Sequence, residues 1–291
     1  MTYGEAVAHG AATIVNAIAT GKGAAFGINL KTKAKVELTK DIGVIRGKIL
    51  PETEENTILI EKAVLTVLKH FGVEKQYGAL VETQSNIPIA KGLKSSSVAS
   101  NAVVLATAKA LSKSLADEKA LSLSVDAAFQ AKTTVTGAFD DASASFFGNV
   151  VVTDNLQRLI LKRDEIEHDY HVLIHIPHQK SYTIESDVKK MKLITQYVEY
   201  AFQEALKGNY WKALTLNGIL YSSILGYSLK PVFDALNAGA LAAGLSGKGP
   251  AVVAVVKGDG VDTVLAVWKT YKSKVLKAKI NRKKAYVVEE E

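Results

Sequence analysis

Residues 87–111, IPIAKGLKSSSVASNAVVLATAKAL, limit most sharply what this chain can fold into. A proline and a glycine break regular structure before three consecutive serines. Apolar residues then fall at helical spacing from about Ser97 to Leu111. Serine is a good helix cap, and one of Ser95, Ser96 and Ser97 could do only that. A helix N-terminus with small hydroxyl residues behind a flexible glycine is also a place to hold phosphate, because first-turn N–H groups and the helix dipole both favour an anion. The residues alone leave both readings open.

Two more Gly/Ala-rich stretches punctuate the 291 residues, AHGAATIVNAIATGKGAAFGINL near the start and GALAAGLSGKGPAVVAVV late in the chain. In the late one, Gly244, Gly247 and Gly249 precede a buried strand. They are either a second wall of a phosphate or substrate pocket or a helix-to-strand turn needing positive φ. A fourth segment, TGAFDDASASFFG, sets Asp140 and Asp141 in what reads as a Gly/Ala/Ser loop. Carboxylates there suit a general base, an oxygen ligand for Mg²⁺, or an N-cap. No G-x-x-x-x-G-K-[ST] or G-x-G-x-x-G string occurs, which removes the two commonest nucleotide-binding loops.

Between these landmarks the chain alternates types. GAAFGINLKTKAKVEL, GVIRGKIL and YGALVETQS read as strands, and NTILIEKAVLTVLKHFG and SVDAAFQAKTT as helices. YHVLIHIPH and AVVAVV read as later strands, and KKMKLITQYVEYAFQEALKG and YWKALTLNGILYSSILG as later helices. Val264, Leu265, Trp268, Tyr271 and Val275 fit one amphipathic helix. Strand-then-strand steps and a late cluster of helices argue for an α+β fold rather than a doubly wound parallel sheet. A division near residue 155 (1–155 and 156–291) is expected, although no flexible linker marks it.

Composition adds exclusions. The chain has no cysteine, so disulfides, thiolate catalysis and Cys-bound metal are out, and a cytoplasmic setting is expected. No apolar run is long enough for a membrane span, and the N-terminal residues lack the form of a secretory signal. A net charge of +7 favours anionic partners. Much of it lies in KTYKSKVLKAKINRKK, which reads as a solvated helix face and a basic loop; no nucleic-acid-binding signature accompanies it.

Pro88, Gly92, Leu93, Ser95 and Ser96 match P-x-x-x-G-L-x-S-S, the central motif of the GHMP kinase superfamily, and GLSGKGP resembles that family's Gly-rich third motif. The resemblance spans nearly the whole chain in order. Within the family, the first Gly-rich stretch and the aspartate segment look most like the archaeal shikimate kinases. The resemblance implies a two-part fold with the active site between the halves, ATP and Mg²⁺, and transfer of a phosphoryl group to the 3-hydroxyl of shikimate.

By the same resemblance, Asn86, Ile87, Pro88, Ile89, Ala90, Lys91, Gly92, Leu93, Lys94, Ser95, Ser96, Ser97, Gly247 and Gly249 would form the ATP loop. Ser96 would hold Mg²⁺ and Asp140 would be the catalytic carboxylate, with Asp141 in reserve. A carboxylate substrate calls for a cation, for which Lys22 and Lys180 are candidates, each also readable as a surface lysine. His9 and Asn16 could bond substrate hydroxyls or be structural. The chain departs from other family members in three places. Ala11 and Ala12 stand where many have Lys or Arg, Lys132 where many have a Mg²⁺-binding Glu, and Lys248 at a usually small position. A kinase for another small alcohol, such as homoserine or mevalonate, or a non-catalytic anion- or RNA-binding protein on the same fold, are the other readings.

Overall fold

The computed structural model describes residues 3–51, 53–178, 188–271 and 273–289. The first Gly/Ala-rich stretch forms β1 (Tyr3–Val15), whose last ten residues are all buried. Burial on both faces explains why it reads as a run of small apolar residues instead of an alternation. β1 pairs antiparallel with β2 (Lys22–Thr39), which is long enough to take two partners on its other edge. Its second half pairs with β4 (Gly78–Ser85) and its first half with β5 (Val150–Asp154). β3 (Ile45–Leu50) lies parallel to β4, and β6 (Leu159–Asp164) closes a hairpin with β5. This sheet carries α1 (Ile58–His70), α2 (Ser95–Ala110), α3 (Asp117–Gln130) and α4 (Phe139–Phe147).

A second, four-stranded antiparallel sheet follows in the order β10 (Lys274–Lys279), β7 (His171–Ile176), β9 (Val252–Val256) and β8 (Ala242–Leu245). With it go α5 (Val188–Lys192), α6 (Thr195–Leu206), α7 (Tyr210–Leu225), α8 (Lys230–Asn237) and α9 (Val261–Lys269). The chain then crosses back, and β11 (Tyr286–Val287) pairs antiparallel with β1. The architecture is α+β. A division at residue 155 falls inside the β5–β6 hairpin, and the change from one sheet to the other comes between Asp164 and His171.

Three local expectations are corrected. The aspartate segment is not a loop: Asp140 and Asp141 sit in the first turn of α4, where the dipole favours acidic residues, while Phe139, Phe146 and Phe147 are buried. Val275 is not on a helix with Trp268. α9 stops at Lys269, and the lysine-rich tail becomes β10, with Lys274, Lys277 and Lys279 facing solvent and Ala278 buried. The segment from Lys189 to Gly208 is two helices, broken at Leu193 and Ile194. No helix of the described residues is long and apolar enough to cross a membrane.

Candidate active site

The three Gly-rich stretches, distant in sequence, are stitched together by two hydroxyls. Thr13 on β1 accepts the Gly247 N–H through its Oγ1 at 2.9 Å. Ser246 Oγ accepts the Thr13 N–H at 3.2 Å and donates to the Gly92 carbonyl at 2.8 Å. Gly92 has φ +81°, and a Cβ built there would lie 2.2 Å from the Ser246 carbonyl oxygen. Its lack of a side chain therefore serves the contact between the second and third stretches. Gly92 also lines the adjoining cavity, so the packing contact stands beside the expectation that it lets phosphate approach.

Above this seam opens a cavity of about 330 Å³. Lys94, the residue before α2, adopts φ +66°, and no side chain caps the helix, so none of the three serines is a cap. Ser95, Ser96 and Ser97 line the cavity instead, with Ile89, Ala90, Gly92, Lys94, Gly247 and Gly249. The other loop residues do not line the cavity. Ile87 and Leu93 are core, Asn86 Oδ1 accepts the Lys31 N–H at 2.8 Å, and Pro88 does not reach the cavity. Lys91 Nζ donates to the carbonyls of Pro177 and His178 at 2.6 and 2.8 Å, tying the loop to the end of β7.

Both aspartates line the cavity and both are buried, yet they have different partners. Asp141 Oδ1 is ion-paired with Lys94 Nζ at 2.9 Å. Asp140 Oδ1 accepts from Asn155 Nδ2 at 2.8 Å, and the Asp140 N–H donates to Asn155 Oδ1 at 3.1 Å. Thr153 Oγ1 donates to that same Asn155 oxygen at 2.7 Å and so fixes the amide's orientation. Asp140 Oδ2 faces β2 at Gly23, where a Cβ would come within 2.5 Å of it, so glycine there leaves the oxygen room. Burial, and next the charge of Asp141, push the Asp140 carboxyl up to about 7, against the opposing pull of Lys94 and Asn155. Asn155, Thr153, Gly23, Thr13 and Ser246 were not singled out in the sequence.

The remaining candidates separate. Asn16 lines the cavity, and its Oδ1 accepts the Ile18 N–H at 2.9 Å. The turn it starts is held by α7, where Asn217 Oδ1 accepts the Asn16 N–H and Tyr221 donates to the Asn16 carbonyl. His9 does not reach the cavity. It is buried on β1 beside Tyr286, and burial with the charges of Lys31 and Lys283 lowers its basicity. Lys22 is also elsewhere, paired with Glu199 at 3.4 Å and lying over the Phe202 ring. Lys180 lies outside the described residues. Ala11 and Ala12 are fully buried in the core, and Lys132, just past α3, does not line the cavity.

Family models for the GHMP kinases N terminal domain and the GHMP kinases C terminal match residues 58–149 and 201–274. The chain belongs to the GHMP kinase family. This GHMP kinase is 46% identical over 284 residues to a shikimate kinase of Methanococcoides burtonii, covering 97% of this chain and 98% of that one. It is 45% identical to the shikimate kinases of Methanothermobacter thermautotrophicus (96% of both chains) and Pyrococcus furiosus (90% of this chain, 93% of that one). Its fold is shared with a homoserine kinase from Cytophaga hutchinsonii, at TM-score 0.76 and 17% identity over 99% of this chain and 98% of that one. The mevalonate kinase of Methanococcus jannaschii superposes with a TM-score of 0.75 at 16% identity, over 95% and 98% of the two chains.

Proposed function

We infer that this GHMP kinase transfers the terminal phosphoryl group of ATP to the 3-hydroxyl of shikimate. The observation that carries the acceptor is near-full-length identity with proteins named shikimate kinase, 46% over 97% of the chain. The cavity supports the chemistry. An uncapped helix N-terminus offers its first-turn N–H groups to phosphate, and Ile49, Leu59, Ile60, Ile89 and Val135 give an apolar wall suited to a purine.

Asp140 is the base in this reading. Its Oδ1 is occupied by Asn155, which leaves Oδ2 for the acceptor hydroxyl. As the hydroxyl oxygen bonds to phosphorus and the bond to the leaving ADP breaks, the hydroxyl proton passes to Asp140. A carboxyl held near 7 is suited to take that proton at neutral pH. Asp141 holds Lys94 at the mouth of α2, where its ammonium can face the phosphates. Phosphoryl transfer asks for little beyond such placement of charge and an in-line approach.

A divalent cation, Mg²⁺, belongs to the same reading. Among the described residues no cluster of three or more His, Cys, Asp or Glu could hold a metal. That fits a cation held by one or two protein oxygens plus phosphates and water, with the exposed Ser96 hydroxyl as the protein oxygen. Such a cation, held by Ser96, would supply positive charge to offset the charge that builds during transfer. Ser96→Ala should therefore raise the Mg²⁺ concentration for half-maximal rate and cut kcat/KM for ATP about tenfold or more, with melting unchanged. An unaltered Mg²⁺ titration would remove Ser96 from the site.

The acceptor is tested by ADP release with Mg-ATP and a panel of shikimate, homoserine, mevalonate and galactose. Stimulation by shikimate, with the other three at background, is the expected outcome. Turnover on another alcohol in place of shikimate would reassign the acceptor and keep the kinase.

A further inference from the structure

Lys248 stands on the turn between Gly247 and Gly249 and lines the cavity, and its Nζ is buried without a hydrogen-bond partner among the described residues. Asp141, whose charge also acts on Lys248, is engaged with Lys94. A Cβ built on Gly247, next to Lys248 in the chain, would lie 2.9 Å from Lys94 Nζ, and the charge of Lys94 is felt at Lys248. Neither is core packing, and a lone ammonium stripped of water gains nothing from being there. Beside the positive end of α2, two lysines are set against Asp141 and, when it is ionised, Asp140, so an anion entering the cavity would find a partner in Lys248.

We propose that Lys248 and Lys94 form a two-ammonium clamp for the terminal phosphate of a nucleoside triphosphate. The proposal rests on the nucleotide reading of the cavity and adds a residue to it. In the free protein, burial and then the charge of Lys94 pull Lys248 down to about 7, against Asp141, so an anion between the lysines is what favours its charged form. A diphosphate lacks the group that would reach the clamp. Lys248 therefore reads the length of the phosphate chain, while the N–H groups of α2 hold what ADP and ATP share.

The test is calorimetric titration of the full chain and its variants, in Mg²⁺, with ADP and with the non-hydrolysable β,γ-imido analogue of ATP. Lys248→Met should lose about 10–100-fold in affinity for the triphosphate analogue, the span expected of one charge-assisted bond, and less than about threefold for ADP. Lys248→Arg should recover most of the difference. Unliganded Lys248→Met should melt no lower than the parent, since it removes a buried, unpartnered charge. Equal losses for the two nucleotides, or no loss for the triphosphate, would overturn the clamp. These measurements involve no acceptor. A parent protein that discriminates the nucleotides this way but ignores shikimate would therefore refute the acceptor and leave the clamp standing.

Discussion

Asp140→Asn should lose about 10²–10⁴-fold in kcat, the contribution typical of a positioned base, while its melting temperature rises at neutral and higher pH. The two effects have one origin. The carboxyl is buried beside Asp141, and the native state holds its proton up to about 7 against 3.8 for an ordinary aspartate. Between those values the native protein binds more protons than the unfolded chain, so its stability falls as pH rises. Below about pH 4 the aspartate costs nothing, and its cost grows as pH rises toward about 7. Asparagine removes that cost and can still accept from Asn155 Nδ2. Melting of both proteins across pH 4–8 and kcat with saturating ATP measure the two sides. Turnover within about threefold of the parent would take Asp140 off the catalytic list, and a far larger loss in Asp141→Asn would move the role to its neighbour.

Gly92→Val should be among the most damaging single changes away from the hydrophobic core. Any side chain there meets the Ser246 carbonyl at 2.2 Å and is held at positive φ besides. Left-handed backbone alone costs a branched residue roughly 1–2 kcal/mol. Displacing the third Gly-rich stretch would also break the Ser246–Gly92 hydrogen bond and shift Gly247 from Thr13. A total loss of about 3–5 kcal/mol is expected, with nucleotide affinity down more than tenfold in the fraction that folds. Gly92→Ala carries the same Cβ and separates two explanations. If alanine melts and binds nucleotide like the parent, the seam tolerates a side chain, and the close contact is not what requires glycine. Denaturant unfolding and nucleotide titration of both variants decide it.

What the sequence disclosed and what it hid follow from the range of the interactions. α1 and β4 announce themselves by period, and the start of α2 by its proline, glycine and serines. The GHMP resemblance placed the Gly-rich stretches at one site because a family pattern carries spatial information that periodicity lacks. α4 could have been read from adjacent acids ahead of FF at helical spacing, but Ala and Ser between them weaken the pattern; they are small because α4 lies close against β1 and β2. Asn155 was beyond reach, since only the folding of β5 brings it to Asp140, fifteen positions earlier. His9 and Lys22 illustrate the converse. Polar residues inside an informative motif invite a chemical role, and the pleat of β1 and the start of β2 turn these two away from the cavity.

β11 is only two residues long, and it lies against β1 with Ala6 opposite Val287. β1 is therefore synthesised about 280 residues before the strand that pairs with its outer edge at Ala6 and Val7. At about 5–20 residues per second, that edge waits some 15–60 s with its backbone groups open to any passing strand. The strand most like the missing one is the same segment of a neighbouring nascent chain. Crowded translation of this protein, more than heating of the finished molecule, is where mispaired, aggregated chains should arise.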